Sequence, residues 1–111
     1  MKLSCRIRFV NRNLQEEFYA LKKGNSFDQE LFKVINTAFD NIEDNAFCGI
    51  QIPKKLIPKF YFKKYSVKNV WKYNLPDGLR LIYSISKDEL NVVAIILEWM
   101  NHKNYEKRFN Y

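Results

Sequence analysis

Four residues in the last third of the chain could exchange protons or hold an anion. His102, the single histidine, is followed by Tyr105 and Arg108 at intervals of three. That spacing predicts one side of a helical turn. Imidazole is the side chain whose ordinary pKa lies nearest neutrality. Tyrosine, ordinarily near ~10, can donate a proton or offer a ring for stacking. Arg80 stands upstream in Leu79-Arg80-Leu81-Ile82-Tyr83. Alternation places it with Ile82, opposite Leu81 and Tyr83. An arginine in an apolar strand is costly to bury alone. It either meets a carboxylate such as Glu98 or faces a phosphate, where its forked donors match two oxygens.

The charge distribution favours the phosphate. The 111 residues carry a net charge of +7. Residues 1–45 hold seven basic and seven acidic side chains, so the excess lies in 46–111. From Asn45 to Pro76 there is no acidic residue, but there are seven lysines, Lys68 and Lys72 among them. Phe60, Tyr61, Phe62, Tyr65, Trp71 and Tyr73 are interleaved with them. Ammonium groups neutralise phosphates and rings stack on unpaired bases. A basic surface over a buried aromatic core is the plainer reading of the same residues. The missing acids favour an anionic partner.

Other chemistries lack their residues. One histidine excludes a histidine-cluster metal site, and no Walker loop, GxGxxG or HExxH occurs. Cys5 and Cys48 form no CxxC pair. They read as two buried free thiols, with a disulfide as the alternative open to a hyperthermophile's protein. The N-terminus alternates polar and apolar residues, unlike a signal peptide. The longest apolar run, 92–97, is far short of the ~20 residues of a membrane span. These features predict a cytoplasmic protein of one domain, 1–111, with no membrane partner.

The positioning elements follow from periodicity. Residues 2–10 alternate as a half-buried strand, with Leu3, Cys5, Ile7 and Phe9 on one side. Asn11 or Asn13 caps a helix bearing Leu14, Phe18 and Leu21. Glu16 and Glu17 fall in its first turns, and Gly24 suits its stop. Ser26-Phe27-Asp28-Gln29 has capping-box form. The helix it opens runs to about Asn45, with a buried stripe of Phe27, Leu31, Val34, Ile35, Ala38 and Ile42. Two residues separate these helices, so they form a hairpin. An irregular stretch, 47–66, contains a short helical turn near 58–64. Strands follow over 68–75 and 79–86, joined by Pro76-Asp77-Gly78, and a third over 90–99 is apolar on both faces and so central. The expected class is α+β, in the order β-α-α-β-β-β: a small, mostly antiparallel sheet with the helical hairpin on one face and the other face left for function.

The succession of Leu79-Arg80-Leu81-Ile82-Tyr83, the apolar 92–97, and Asn101-His102-Lys103-Asn104-Tyr105 with basic neighbours resembles the RelE/ParE superfamily of toxin–antitoxin toxins. The segment from Gly49 to the end is similar to an archaeal branch of RelE-like proteins. The element order agrees with that of the family.

The resemblance implies a toxin that cleaves messenger RNA in the ribosomal A site, held inactive by a cognate antitoxin in a toxin–antitoxin hetero-oligomer. In such enzymes the ribose 2′-hydroxyl attacks the adjacent phosphate without a metal or other cofactor. By position, Arg80 matches a transition-state stabiliser and Tyr105 the C-terminal tyrosine. His102 matches the histidine that some branches carry before it. Lys72 and Lys68 match lysines near the phosphate, with Lys103 and Arg108 as further RNA-binding cations. The family's arginine six residues before the tyrosine is here Trp99. A ParE-like toxin, which poisons gyrase without RNA chemistry, is one alternative. A basic nucleic-acid-binding member without activity is another.

Overall fold

The computed structural model describes residues 4–109. Strand β1, Ser4–Phe9, keeps the expected alternation: Cys5, Ile7 and Phe9 are half-buried while Arg6 and Arg8 are exposed. Lys2 and Leu3, also expected there, lie outside the described residues. Asn11 caps helix α1, Arg12–Ala20, its Oδ1 accepting the Leu14 N–H at 2.8 Å. Glu16 and Glu17 fall beyond the first turn, because the helix opens on Arg12. A single tight turn, Leu21–Lys23, ends at Gly24, whose backbone is extended. Gly24 is needed for space instead: a Cβ there would collide with the Asp28 side chain.

Helix α2, Ser26–Asp44, is capped by Asn25, not Ser26: Asn25 Oδ1 accepts the Asp28 N–H at 2.9 Å, and Gln29 reaches back to the Gly24 carbonyl at 2.9 Å. Phe27, in the first turn of α2, is 64% exposed and not part of the buried stripe. Phe39 takes an interior place that the expected stripe left out. Leu31, Ile35, Ala38 and Ile42 are buried as expected.

Strand β2, Ile50–Gln51, is short and exposed. Helix α3, Lys59–Tyr65, follows Pro58 and stops where Ser66 turns left-handed, φ 56°. Strand β3 spans only Trp71–Asn74. Its expected beginning is replaced by the Asn69 amide, which donates to the Ile85 carbonyl at 2.9 Å and accepts the Ile85 N–H at 2.8 Å. A side chain thus supplies the pairing that backbone would otherwise make, and Lys68 falls outside the strand. The Pro76-Asp77-Gly78 turn places Asp77 and Gly78 at φ 59° and 78° and leads into β4, Arg80–Lys87. Asp88 Oδ1 accepts the N–H groups of Leu90 and Asn91, closing the turn to β5, Asn91–Met100. Helix α4, His102–Phe109, is the last element among the described residues.

The fold is α+β, with strand order β1-β5-β4-β3-β2. β1 runs parallel to β5, and the other neighbours are antiparallel. β4 is the middle strand, and β5 lies between β4 and β1. Helices α1 and α2 cover one face over a core that includes Leu14, Phe18, Ile35, Ile42, Leu81, Tyr83 and Ile96. The opposite face was expected to be open. Helices α3 and α4 cover it, burying Tyr61, Val70, Ile82, Leu97, Tyr105 and Phe109 as a second core. The reason is composition: α3 and α4 carry aromatic residues that lose contact with water only against the sheet. Among the described residues, no helix is long and apolar enough to cross a membrane.

Candidate anion-binding site

Three of the expected site residues meet on the second face. Lys72 on β3 pairs across the ladder with Ile82 on β4, which directs both toward α4. Its Nζ donates to the Tyr105 hydroxyl at 3.1 Å and lies 5.0 Å from the centre of the Tyr105 ring. Arg80 opens β4 opposite Met100, and its guanidinium carbon lies 5.2 Å from the same ring. Two cations therefore border one tyrosine, an arrangement favoured by the negative face of the ring.

Arg80 does not meet Glu98, the carboxylate considered for it. Its Nη1 donates to the Leu79 carbonyl at 3.2 Å, while its Nε is buried without a hydrogen-bond partner. Glu98 faces Arg108 instead, at 3.5 Å. Arg108 lies flat on Phe60, with its guanidinium carbon 3.9 Å from the ring centre. The buried Tyr61 hydroxyl sits near Glu98, and burial first, then the Glu98 charge, push its pKa upward.

His102, Tyr105 and Arg108 do not form one group. Tyr105 points into the core, 2% exposed and tilted against Phe109 at 4.7 Å. His102 stays outside, its Nε2 2.7 Å from the Glu106 carboxylate. A helix turns about 100° per residue, so steps of three drift, and the one in contact with the sheet is the ring with most area to bury. His102 packs instead beside the turn before β4. A Cβ on Gly78 would come within 3.0 Å of the His102 Cβ, so glycine there serves both the positive φ and this contact.

Lys103 is exposed on α4. Lys68 is exposed beside the β4 segment 84–87, at the far end of the strand from Arg80. Arg80 and Ile85 are five residue steps apart along β4, about 17 Å, so Lys68 does not join the cluster. A groove of about 580 Å³ between β1 and the helical hairpin is lined by none of the expected site residues.

Sequence reasoning missed three partners: Phe60 under Arg108, Glu98 beside Arg108, and Glu106 beside His102. The four-residue step from His102 to Glu106 was a legible signal. Phe60 and Glu98 come from other elements, and no local spacing announces them.

The cysteines depart from the buried pair expected. Both are free, Cys5 partly covered and Cys48 exposed. Burial is the main cause raising the Cys5 thiol pKa, which keeps the thiol form. Among the described residues, no three His, Cys, Asp or Glu side chains converge as metal ligands.

The cluster offers positive charge, a hydroxyl held by an ammonium, and an arginine whose buried Nε has no hydrogen-bond partner. Comparison with protein-family models, curated proteins and solved structures finds no match to this chain.

Proposed function

We propose that this protein is the toxin of a toxin–antitoxin pair and cleaves messenger RNA on the ribosome. The observation that carries the reading is the convergence of Lys72, Arg80 and Tyr105 from β3, β4 and α4. RNA cleavage by its own 2′-hydroxyl needs little more. The 2′-oxygen forms a bond to phosphorus and releases its proton to a base. The bond from phosphorus to the 5′-oxygen breaks, and that oxygen takes a proton. Negative charge builds on the phosphoryl oxygens between these events, where fixed cations act best.

In this reading the Arg80 guanidinium and the Lys72 ammonium receive the phosphoryl oxygens. Tyr105 holds Lys72 in place and shares in proton transfer. His102 stands outside the cluster, beside Glu106. An acidic and apolar antitoxin segment would lie across the basic surface and mask these cations, folding as it binds.

The burial of Tyr105 favours a second reading, in which the cluster binds nucleic acid or gyrase without cleavage. Its ring is enclosed between the sheet and Phe109, so a phosphate reaches the hydroxyl only after α4 moves.

Cleavage on programmed ribosomes tests the proposal. Wild-type protein is expected to cut within the A-site codon. Arg80→Ala should lose about 100-fold or more in rate, the usual cost of removing one charge-stabilising donor. Tyr105→Phe should also lose most of the rate. An intact message with folded wild-type protein would falsify the proposal and move the test to gyrase.

A further inference from the structure

A groove of about 500 Å³ runs between α3, the end of β5 and α4. Its walls include Phe60, Glu98, Trp99, Asn104, Lys107 and Arg108. β1 ends at Phe9 opposite Ile96, whereas β5 continues to Met100. The last residues of β5 therefore have β4 on one side and no strand on the other, which leaves the groove open there.

The Arg108 guanidinium is held flat. Phe60 lies against one of its faces at 3.9 Å, and Glu98 fixes its edge at 3.5 Å. A guanidinium has two faces, and Arg108 lines the groove. Unpaired bases stack on such planes. Asn104 and Glu98 supply an amide and a carboxylate suited to a base edge, while the Trp99 ring turns to the other face of the sheet, against Phe18. The exposed Lys107 supplies a cation for a phosphate. Met100 also lines the groove and is the ladder partner of Arg80, so the groove begins one strand spacing from that arginine.

We propose that this groove takes one unpaired nucleobase of a single-stranded RNA, next to the phosphate at Arg80 and Lys72. The proposal rests on the RNA-cleavage reading for its ligand, and it adds where the neighbouring base goes. A base in the groove stacks on Arg108, while Lys107 meets its backbone charge.

The test uses a short single-stranded oligoribonucleotide containing 2-aminopurine, whose fluorescence is quenched on stacking. Wild-type protein should quench it. Arg108→Lys keeps the charge but removes the plane, and should weaken binding about tenfold with loss of most of the quench. Lys107→Gln should weaken binding while the quench at saturation stays. Should Arg108→Lys fail to melt like wild type, Phe60→Leu takes its place, because it removes the backing ring. Full quenching by a folded Arg108→Lys protein, or none by wild type, overturns the groove. The same preparations go onto programmed ribosomes. Wild type that quenches without cutting defeats the cleavage reading alone. Wild type that cuts without quenching defeats the groove alone.

Discussion

Tyr83 and Tyr61 are both fully buried, one on each face of the sheet. On the face under α1 and α2, the Tyr83 hydroxyl donates to the Ala46 carbonyl at 2.8 Å and accepts the Gly49 N–H at 3.2 Å. On the face under α3 and α4, the Tyr61 hydroxyl faces the Glu98 carboxylate without a well-aligned hydrogen bond. Arg80 Nε is orphaned on that same face. Cations lie over its rings as well: Lys72 and Arg80 over Tyr105, Arg108 over Phe60, and Lys64 over Phe60 and Tyr65. The first face satisfies its buried tyrosine hydroxyl, and Lys22 lies over the rings of Tyr19 and Phe32. The second gives up hydrogen bonds to keep charge close to its core, as sites for anions do.

The sharpest way to break this contrast is to hollow out the first face. Ile35 is fully buried there. Ile35→Ala should cost about 2–5 kcal/mol of stability, read from urea unfolding. A loss well below this would mean that the second core carries more of the fold than described.

Tyr83→Phe comes next. It strands the Gly49 N–H and the Ala46 carbonyl in a buried place. The expected loss is about 1–3 kcal/mol. Tyr61→Phe strands no backbone group, so it should cost less than Tyr83→Phe. If the two variants lose equally, the faces do not differ in the way argued.

Alkaline pH probes both tyrosines together. Burial is the leading cause that raises each above the ordinary tyrosine value; the Cys48 charge adds to it for Tyr83, and the Glu98 charge for Tyr61. The unfolded chain releases these protons near pH ~10, while the folded chain retains them. Stability is therefore intact below that pH and falls as pH rises above it. The urea midpoint should drop between about pH 9 and 11, and less steeply in Tyr61→Phe. A flat midpoint would show that neither hydroxyl is shielded.

The smallest effect belongs to the turn between β4 and β5. Asp88 accepts two backbone N–H groups, and they hold its carboxyl below the ordinary value. Its contribution is present above the ordinary carboxylate range and is lost as pH falls through the lowered value. Asp88→Ala should lower the thermal midpoint slightly at neutral pH and match wild type in strong acid.

Much of the first face was legible in the chain. The alternation of β1, the Asn11 cap and the Leu31–Ile35–Ala38–Ile42 stripe rest on repeats of two and of three to four residues. Phe27 and Phe39 lie on opposite edges of that stripe, about 120° apart at 100° per residue, and only packing decided which edge faces the core. On the second face the right residue types were visible, but their grouping was not. Lys72, Arg80 and Tyr105 belong together, whereas Lys68 and His102 stand apart.

The amino-acid sequence by itself determined the α+β class, the helical hairpin, the three long strands and the concentration of positive charge after residue 45. Each of these depends on neighbours within a few positions, or on composition. Only the tertiary structure decided that α3 and α4 close the second face, that Glu98 faces Arg108 and not Arg80, and that Tyr105 is buried between two cations. Those outcomes depend on which rings bury most area against a shared sheet, a competition among elements far apart in the chain.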